Sequence, residues 1–323
     1  MNMTLPTKLL AFVLSLMLAA VAAAQTSAFA PYYNNRGLAK EGKGDHDGAI
    51  ADYNRAIELN PKYAGAYNNR GLAERAKGDL DGAIADFNRA IELDPKLAIS
   101  YHNRGLAQKA KGAIPDFNRA IELNPKDAGA YNNRGITKEG KGDLDGAIAD
   151  YSRAIELDPK FAAGAYSNRG LAKQAKGDLD GAIADFNRAI ELDPKLAISY
   201  YLRALAKEAK GDLDGTIADD NRAIELCPKQ PRAYMNRGFA KQAKGDVDGA
   251  IADYNRAVEL AAKLTIFCVD GTIADYNRAI ALDPKQPKAY INRGFAKQAK
   301  GDLDGAVADY NRASELAAKL AKP

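Results

Sequence analysis

Tyr67 to Pro95 reads YNNRGLAERAKGDLDGAIADFNRAIELDP, and the same word returns from Tyr131, from Tyr166 and, with changes, from five other tyrosines. The spacing from Tyr33 to Tyr67 is 34 residues. Self-similarity at such a period means that each unit packs on its neighbours, so the 323 residues count repeats and not conventional domains. The order is then repeat one, 30–63, repeat two, 64–97, and repeat three, 98–127, which lacks four residues after Gly112 and carries Pro115 in place of a helical alanine. Repeats four to seven occupy 128–161, 162–196, 197–230 and 231–264, with one extra linker residue in repeat five. Residues 265–286 read as a truncated repeat whose first helix is replaced by TIFCV, and 287–323 hold the last repeat and C-terminus.

Each full unit predicts two helices. The first runs from about the tyrosine to the lysine before Gly-Asp, where glycine suits a helix stop. Asp79 and its equivalents stand where an N-cap acceptor belongs. The second helix spaces Ala83, Phe87, Ala90 and Ile91 as one apolar stripe, and Asn-Pro or Asp-Pro ends it because the residue before proline avoids helical geometry.

Tyr67, Gly71, Ala83, Phe87, Ala90 and Pro95 together resemble the tetratricopeptide repeat signature. The resemblance covers residues 30 to 320 and recurs eight times in full or nearly full form. It implies an all-α fold, a right-handed superhelix of helix-turn-helix units, and a non-catalytic scaffold that binds a protein or an extended peptide in its concave groove. Two departures thin the apolar face of the first helix. Arginine replaces the leucine before the glycine (Arg36, Arg70, Arg104, Arg134, Arg169, Arg203, Arg237, Arg293), and a charge replaces the second aromatic, as at Lys40 and Glu74. Repeat six departs further, with Ala204 for glycine, Thr216 for alanine and Asp220 for the core aromatic. An unpaired acid there is costly, so that unit is expected to open locally or to pair Asp220 with a nearby arginine.

Counting the tyrosine as position four, position six is asparagine at Asn35, Asn69, Asn103, Asn133, Asn168, Asn236 and Asn292, and Asn68 stands at position five. By the helical period these share a face with Leu38, Leu72, Leu106, Ile136 and Leu171. A carboxamide offers both donor and acceptor, and the resemblance implies that such a row holds a peptide by its main chain. The alternative is a solvated residue copied by duplication, since FNRAIELDPKLAIS occurs at both Phe87 and Phe186. The arginines read as structural, each paired with an aspartate of the second helix (Asp52, Asp86, Asp116, Asp150, Asp185, Asp219, Asp253, Asp309). The family's clamp for a C-terminal carboxylate needs lysines that repeat one lacks, having Asn34 and Leu38 there.

Other chemistry finds little support. The 46 basic and 42 acidic residues interleave without a basic stripe, which argues against nucleic acid. The GDLDG turn places Lys77 and Asn88 where a calcium loop needs acids, and neither His46 nor His102 has a triad partner in sequence, so no cofactor, metal or catalytic site is expected. Cys227 and Cys268 form an internal disulfide, stay free, or link two chains; sequence does not choose among these. Only three residues follow Leu320, and exposure of Val307 and Tyr310 makes self-association of that end an alternative to groove binding. At the other end, Leu9 to Ala24 is an apolar run after Lys8, too short for a typical span and closed by Ala22-Ala23-Ala24. It reads as a signal peptide, 1–24, followed by a short segment, 25–29, of an exported, periplasmic or secreted protein with no membrane span after its removal. Intact mass of the exported protein is expected to begin at Gln25; a mass that retains Met1 would make the run an anchor.

Overall fold

The computed structural model describes residues 28–108, 113–160, 162–264 and 302–320, together with 277, 280, 290–294 and 297. The signal segment, the TIFCV remnant with Cys268, and Gly112 lie outside the described residues. Among the described residues the secondary structure is helical throughout, as the repeat pattern predicts.

The chain divides into two compact units, residues 1–176 and 177–323. The first holds α1 (Ala30–Glu41), α2 (His46–Leu59), α3 (Ala64–Ala76), α4 (Leu80–Leu93), α5 (Ala98–Ala107), α6 (Ala113–Leu123), α7 (Ala128–Glu139), α8 (Leu144–Leu157) and α9 (Ala163–Ala175). The second holds α10 (Leu179–Leu192), α11 (Ala197–Ala209), α12 (Leu213–Leu226), α13 (Pro231–Ala243), α14 (Val247–Leu264) and α15 (Leu303–Leu320). Within each unit consecutive helices up to α14 pack on one another. The first helix of a repeat also touches the first helix of the following one, as α1 does α3, α3 does α5, α7 does α9 and α11 does α13.

The turns behave as the sequence predicts. Gly78 has a φ of +88°, a left-handed conformation that glycine adopts without a Cβ penalty, and Asp79 then caps α4 by accepting from the Gly82 amide at 3.0 Å. Asp45, Asp143, Asp178, Asp212 and Asp246 cap their helices in the same way. In repeat three α6 begins at Ala113, so Pro115 lies in the first turn, where no intrahelical N–H is needed. In α14 the Asp-Pro stop is replaced by Ala261-Ala262, and the helix continues to Leu264.

The core of a regular repeat is one aromatic ring laid over one glycine. Phe87 is fully buried against Ala83 and Ala107, and a Cβ placed on Gly71 would lie 2.9 Å from its ring and 3.1 Å from the Ala83 carbonyl oxygen. Gly37 with Tyr53, Gly105 with Phe117, Gly135 with Tyr151 and Gly238 with Tyr254 repeat the arrangement. Repeat six exchanges both partners at once: Ala204 has the methyl that a ring would forbid, and Asp220 has no ring. Gly71→Ala is therefore expected to lower stability by about 1–3 kcal/mol through overpacking, despite alanine's higher helix propensity. Ala204→Gly is expected to cost only about 0.5–1 kcal/mol through backbone entropy. Chemical denaturation of the two variants checks this, and a stabilised Gly71→Ala protein would contradict the ring contact.

Candidate functional site

The first helices carry the residues expected to meet a partner, and the structure separates them into two sets. The asparagines are largely engaged with one another. Asn69 Nδ2 donates to Asn34 Oδ1 of the preceding repeat at 2.9 Å, and Asn103 Nδ2 donates to Asn68 Oδ1 at 3.0 Å. Asn133 Nδ2 meets His102 Nε2 at 3.2 Å, and Asn168 Nδ2 donates to Asn132 Oδ1 at 3.1 Å. In each case position six of one repeat donates to position five of the repeat before it. Asn68 Nδ2 also donates to Asn69 Oδ1, and Ser100 Oγ to Asn68 Oδ1, which joins Asn34, Asn69, Asn68 and Asn103 into one chain.

Burial along this row is uneven. Asn34, Asn68, Asn103 and Asn236 are buried, Asn69, Asn133, Asn168 and Asn292 half-buried, and Asn35 exposed. Position five therefore holds as much of the network as position six. The sequence signal was the run of asparagine at both positions, as in Asn34-Asn35 and Asn68-Asn69. What it could not show is that adjacent first helices come close enough for the amides to satisfy each other.

The aliphatic set points outward. Leu38, Leu106 and Ile136 are 47, 38 and 47% exposed, while Leu72 and Leu171 are half-buried. Leu72 packs on the Ala83–Phe87–Ala107 cluster. In the second unit the same face carries Tyr201, Leu205, Met235 and Phe239, all half-buried.

Behind this face each arginine is a clamp. Arg70 Nε and Nη2 each donate to Asp86 at 2.6 Å, its Nη1 donates to Asn54 of the preceding repeat at 2.6 Å, and its guanidinium lies 5.6 Å from the Tyr67 ring centre. Arg104, Arg134, Arg203, Arg237 and Arg293 each combine a bidentate aspartate with an asparagine of the preceding repeat. The four-residue deletion in repeat three shortens the spacing of Arg104 and Asp116 but leaves the pair intact. The expected arginine–aspartate pairing holds at Arg36, Arg70, Arg104, Arg134, Arg203, Arg237 and Arg293, and the aspartates of these pairs are buried. Removing either partner would strand a charge away from water.

A lysine usually completes the clamp. Lys40, Lys138, Lys207, Lys241 and Lys297 approach Asp52, Asp150, Asp219, Asp253 and Asp309 within 2.9–3.0 Å. Repeat two places Glu74 there, facing Asp86. Burial first, then Asp86, push the Glu74 carboxyl up to about 7 against the pull of Arg70.

His102 sits between repeats three and four, with Nδ1 2.8 Å from Asp127 Oδ2. With Asn133 Nδ2 as the donor, Nε2 accepts and Nδ1 donates to Asp127. Burial raises Asp127, but the bonds from His102 and the Ala130 amide outweigh it and hold the carboxyl below its usual range. His46 likewise contacts Glu41 at 2.8 Å. Cys227 ends α12 and is half-buried. Among the described residues no group of three or more His, Cys, Asp or Glu side chains could hold a metal ion, and no helix is long and apolar enough to cross a membrane.

A family model described as TPR repeat matches residues 42–74, 71–112, 140–177, 174–211 and 269–301. Models described as tetratricopeptide repeat match 117–149, 231–264 and 287–320. Among solved structures, MamA is 33% identical over 50% of this chain and 96% of its own, with a TM-score of 0.45. A tetratricopeptide repeat protein from Parabacteroides merdae ATCC 43184 is 21% identical over 73% of this chain and 93% of its own, with a TM-score of 0.57. PilW, a type IV pilus biogenesis factor, is 19% identical over 63% of this chain and 96% of its own, with a TM-score of 0.58. The last two share the fold. A search of curated proteins gives no match.

The Glu74 carboxyl generates a pH prediction. Its folded pKa lies above its unfolded value, so its stabilising contribution is complete below about 4.3 and is lost as pH rises through about 7. Glu74→Lys restores the regular clamp and is expected to raise stability at pH 8 more than at pH 5, by on the order of 1–3 kcal/mol. Denaturation at both pH values measures the difference, and an equal gain at both would contradict it.

Proposed function

The chain belongs to the tetratricopeptide repeat family, and from that premise we propose that it is an exported, non-catalytic scaffold that holds a protein segment against the first-helix face. The observation that carries this reading is the exposed row of Leu38, Leu106 and Ile136. These are large apolar side chains at one equivalent, exposed position of the first helices of repeats one, three and four. Burying one such side chain contributes roughly 1.5–3 kcal/mol, whereas a single carboxamide contact adds about 0.5–1.5 kcal/mol.

Apolar side chains of the partner therefore supply the affinity. Asn35, Asn69, Asn133 and Asn168 supply polar contacts from the donor and acceptor capacity that the inter-repeat bonds leave over. Asn103 and Asn236 act mainly inside the protein. A second reading, self-association, is favoured by the exposure of Val307 and of Val247 and Ile251 on second helices.

The triple substitution Leu38→Asp, Leu106→Asp and Ile136→Asp is expected to weaken capture of a co-purified partner more than tenfold, while each exposed change alters stability by about 0.5 kcal/mol or less. Equal capture by both proteins, scored by mass spectrometry, would rule the face out. Concentration-dependent light scattering with no co-purified partner would favour self-association. By contrast, Asn69→Ala, Asn103→Ala and Asn133→Ala are expected to lower stability by roughly 0.5–1.5 kcal/mol each, through loss of inter-repeat bonds.

A further inference from the structure

Repeat six carries an enclosed acid that the binding face does not use. Asp220 stands where the other repeats have Tyr53, Phe87, Phe117, Tyr151 or Tyr254, and it is 0% exposed. Its Oδ2 accepts from Asn236 Nδ2, on the first helix of repeat seven, at 2.8 Å. Its Oδ1 has no hydrogen-bond partner among the described residues. The expectation that this acid pairs with an arginine is thus corrected: its bonded partner is an asparagine.

The arginines nearby are committed elsewhere. Arg203 holds Asp219 through both nitrogens, and Arg237 holds Asp253 in the same way. The groups that act on Asp220 are Asp219 on its own helix α12, Glu208 on α11, and Asn236 and Arg237 on α13. Thr216 Oγ1 turns to the carbonyl oxygens of Asp212 and Ala204, at 2.8 and 3.3 Å. The cell thus supplies one amide donor, one cation already bound to another acid, and two further carboxyl groups. The amide and the cation favour an ionised acid, but burial and the two carboxyl groups penalise it more.

We propose that Asp220 is a proton-controlled latch between repeats six and seven: protonated, it leaves α12 packed around an enclosed neutral acid, and ionised, the cost of burying its charge outweighs the Asn236 hydrogen bond and loosens repeat six against α13. Burial, the largest influence, pushes the group up to about 8 against the Asn236 hydrogen bond and Arg237. Since the folded value exceeds the unfolded one of about 3.9, the contribution is complete below that value and is lost as pH rises through about 8. Ala204 and Thr216 each add a group over the glycine and alanine that meet the ring in the regular repeats.

Hydrogen exchange on the full mature chain, from pH 5 to 9, reads the latch locally. After correction for intrinsic exchange, protection in α12 is expected to fall by up to about tenfold per pH unit between pH 5 and 8, with α7 and α8 as the reference within the same molecule. Asp220→Asn, which keeps the shape and cannot ionise, is expected to flatten the α12 profile. A wild-type profile that is flat, or an Asp220→Asn profile with the wild-type slope, would overturn the proposal. Should Asp220→Asn fail to fold, the variant Ala204→Gly, Thr216→Ala and Asp220→Phe restores the regular core; its α12 is expected to be protected and flat with pH, and a persisting slope would overturn the latch equally.

Discussion

The ring that lies over a glycine sets the distance between the two helices of a repeat, and the remaining contacts follow from that distance. With Phe87 pressed on Gly71, the backbones of α3 and α4 come close enough for Arg70 to reach Asp86 with both nitrogens. Within a unit, first helices such as α1 and α3, or α3 and α5, also lie side by side, where the asparagines meet. Interiors packed at this density tolerate little change in volume at one position without change at another. Repeat six illustrates the point, because the loss of its ring accompanies the gain of the Ala204 and Thr216 methyl groups.

The arginine clamps give the stack its register. Arg70, Arg104, Arg134, Arg203, Arg237 and Arg293 each tie their own repeat through a buried aspartate and the preceding repeat through an asparagine, with a tyrosine ring against the guanidinium. Bidentate geometry requires both helices in one rotation and one height, a demand that apolar packing alone does not make. Such pairs need not add much net stability, since desolvation opposes them, but a misplaced repeat would leave a bare carboxylate in the interior. Specific stacking by charge explains how the family's usual leucine can be replaced throughout without loss of the fold.

Much of this was legible from the 34-residue word. The helix pairs, the aspartate caps, the glycine turns and the arginine–aspartate pairing all depend on residues near in sequence or on a strict spacing within one repeat. The asparagine row was legible only in part. Sequence places Asn69 and Asn103 on one face of their helices, but whether an amide there meets solvent or Asn34 and Asn68 is decided by the approach of two repeats. Glu74 was visible as a departure, but its raised pKa depends on facing Asp86 in a half-buried position.

By itself the sequence determined the repeating helical pair, because helix periodicity, capping and proline stops are local properties that 34 residues fully contain. It also marked repeat six as the one whose core ring is replaced by an acid. Only the tertiary structure decided what the polar residues do, since a carboxamide or a carboxylate is defined by the groups that reach it. Packing of neighbouring helices turned most of the asparagines into a seam between repeats, left Leu38, Leu106 and Ile136 facing outward, and gave Asp220 the Asn236 amide in place of an arginine.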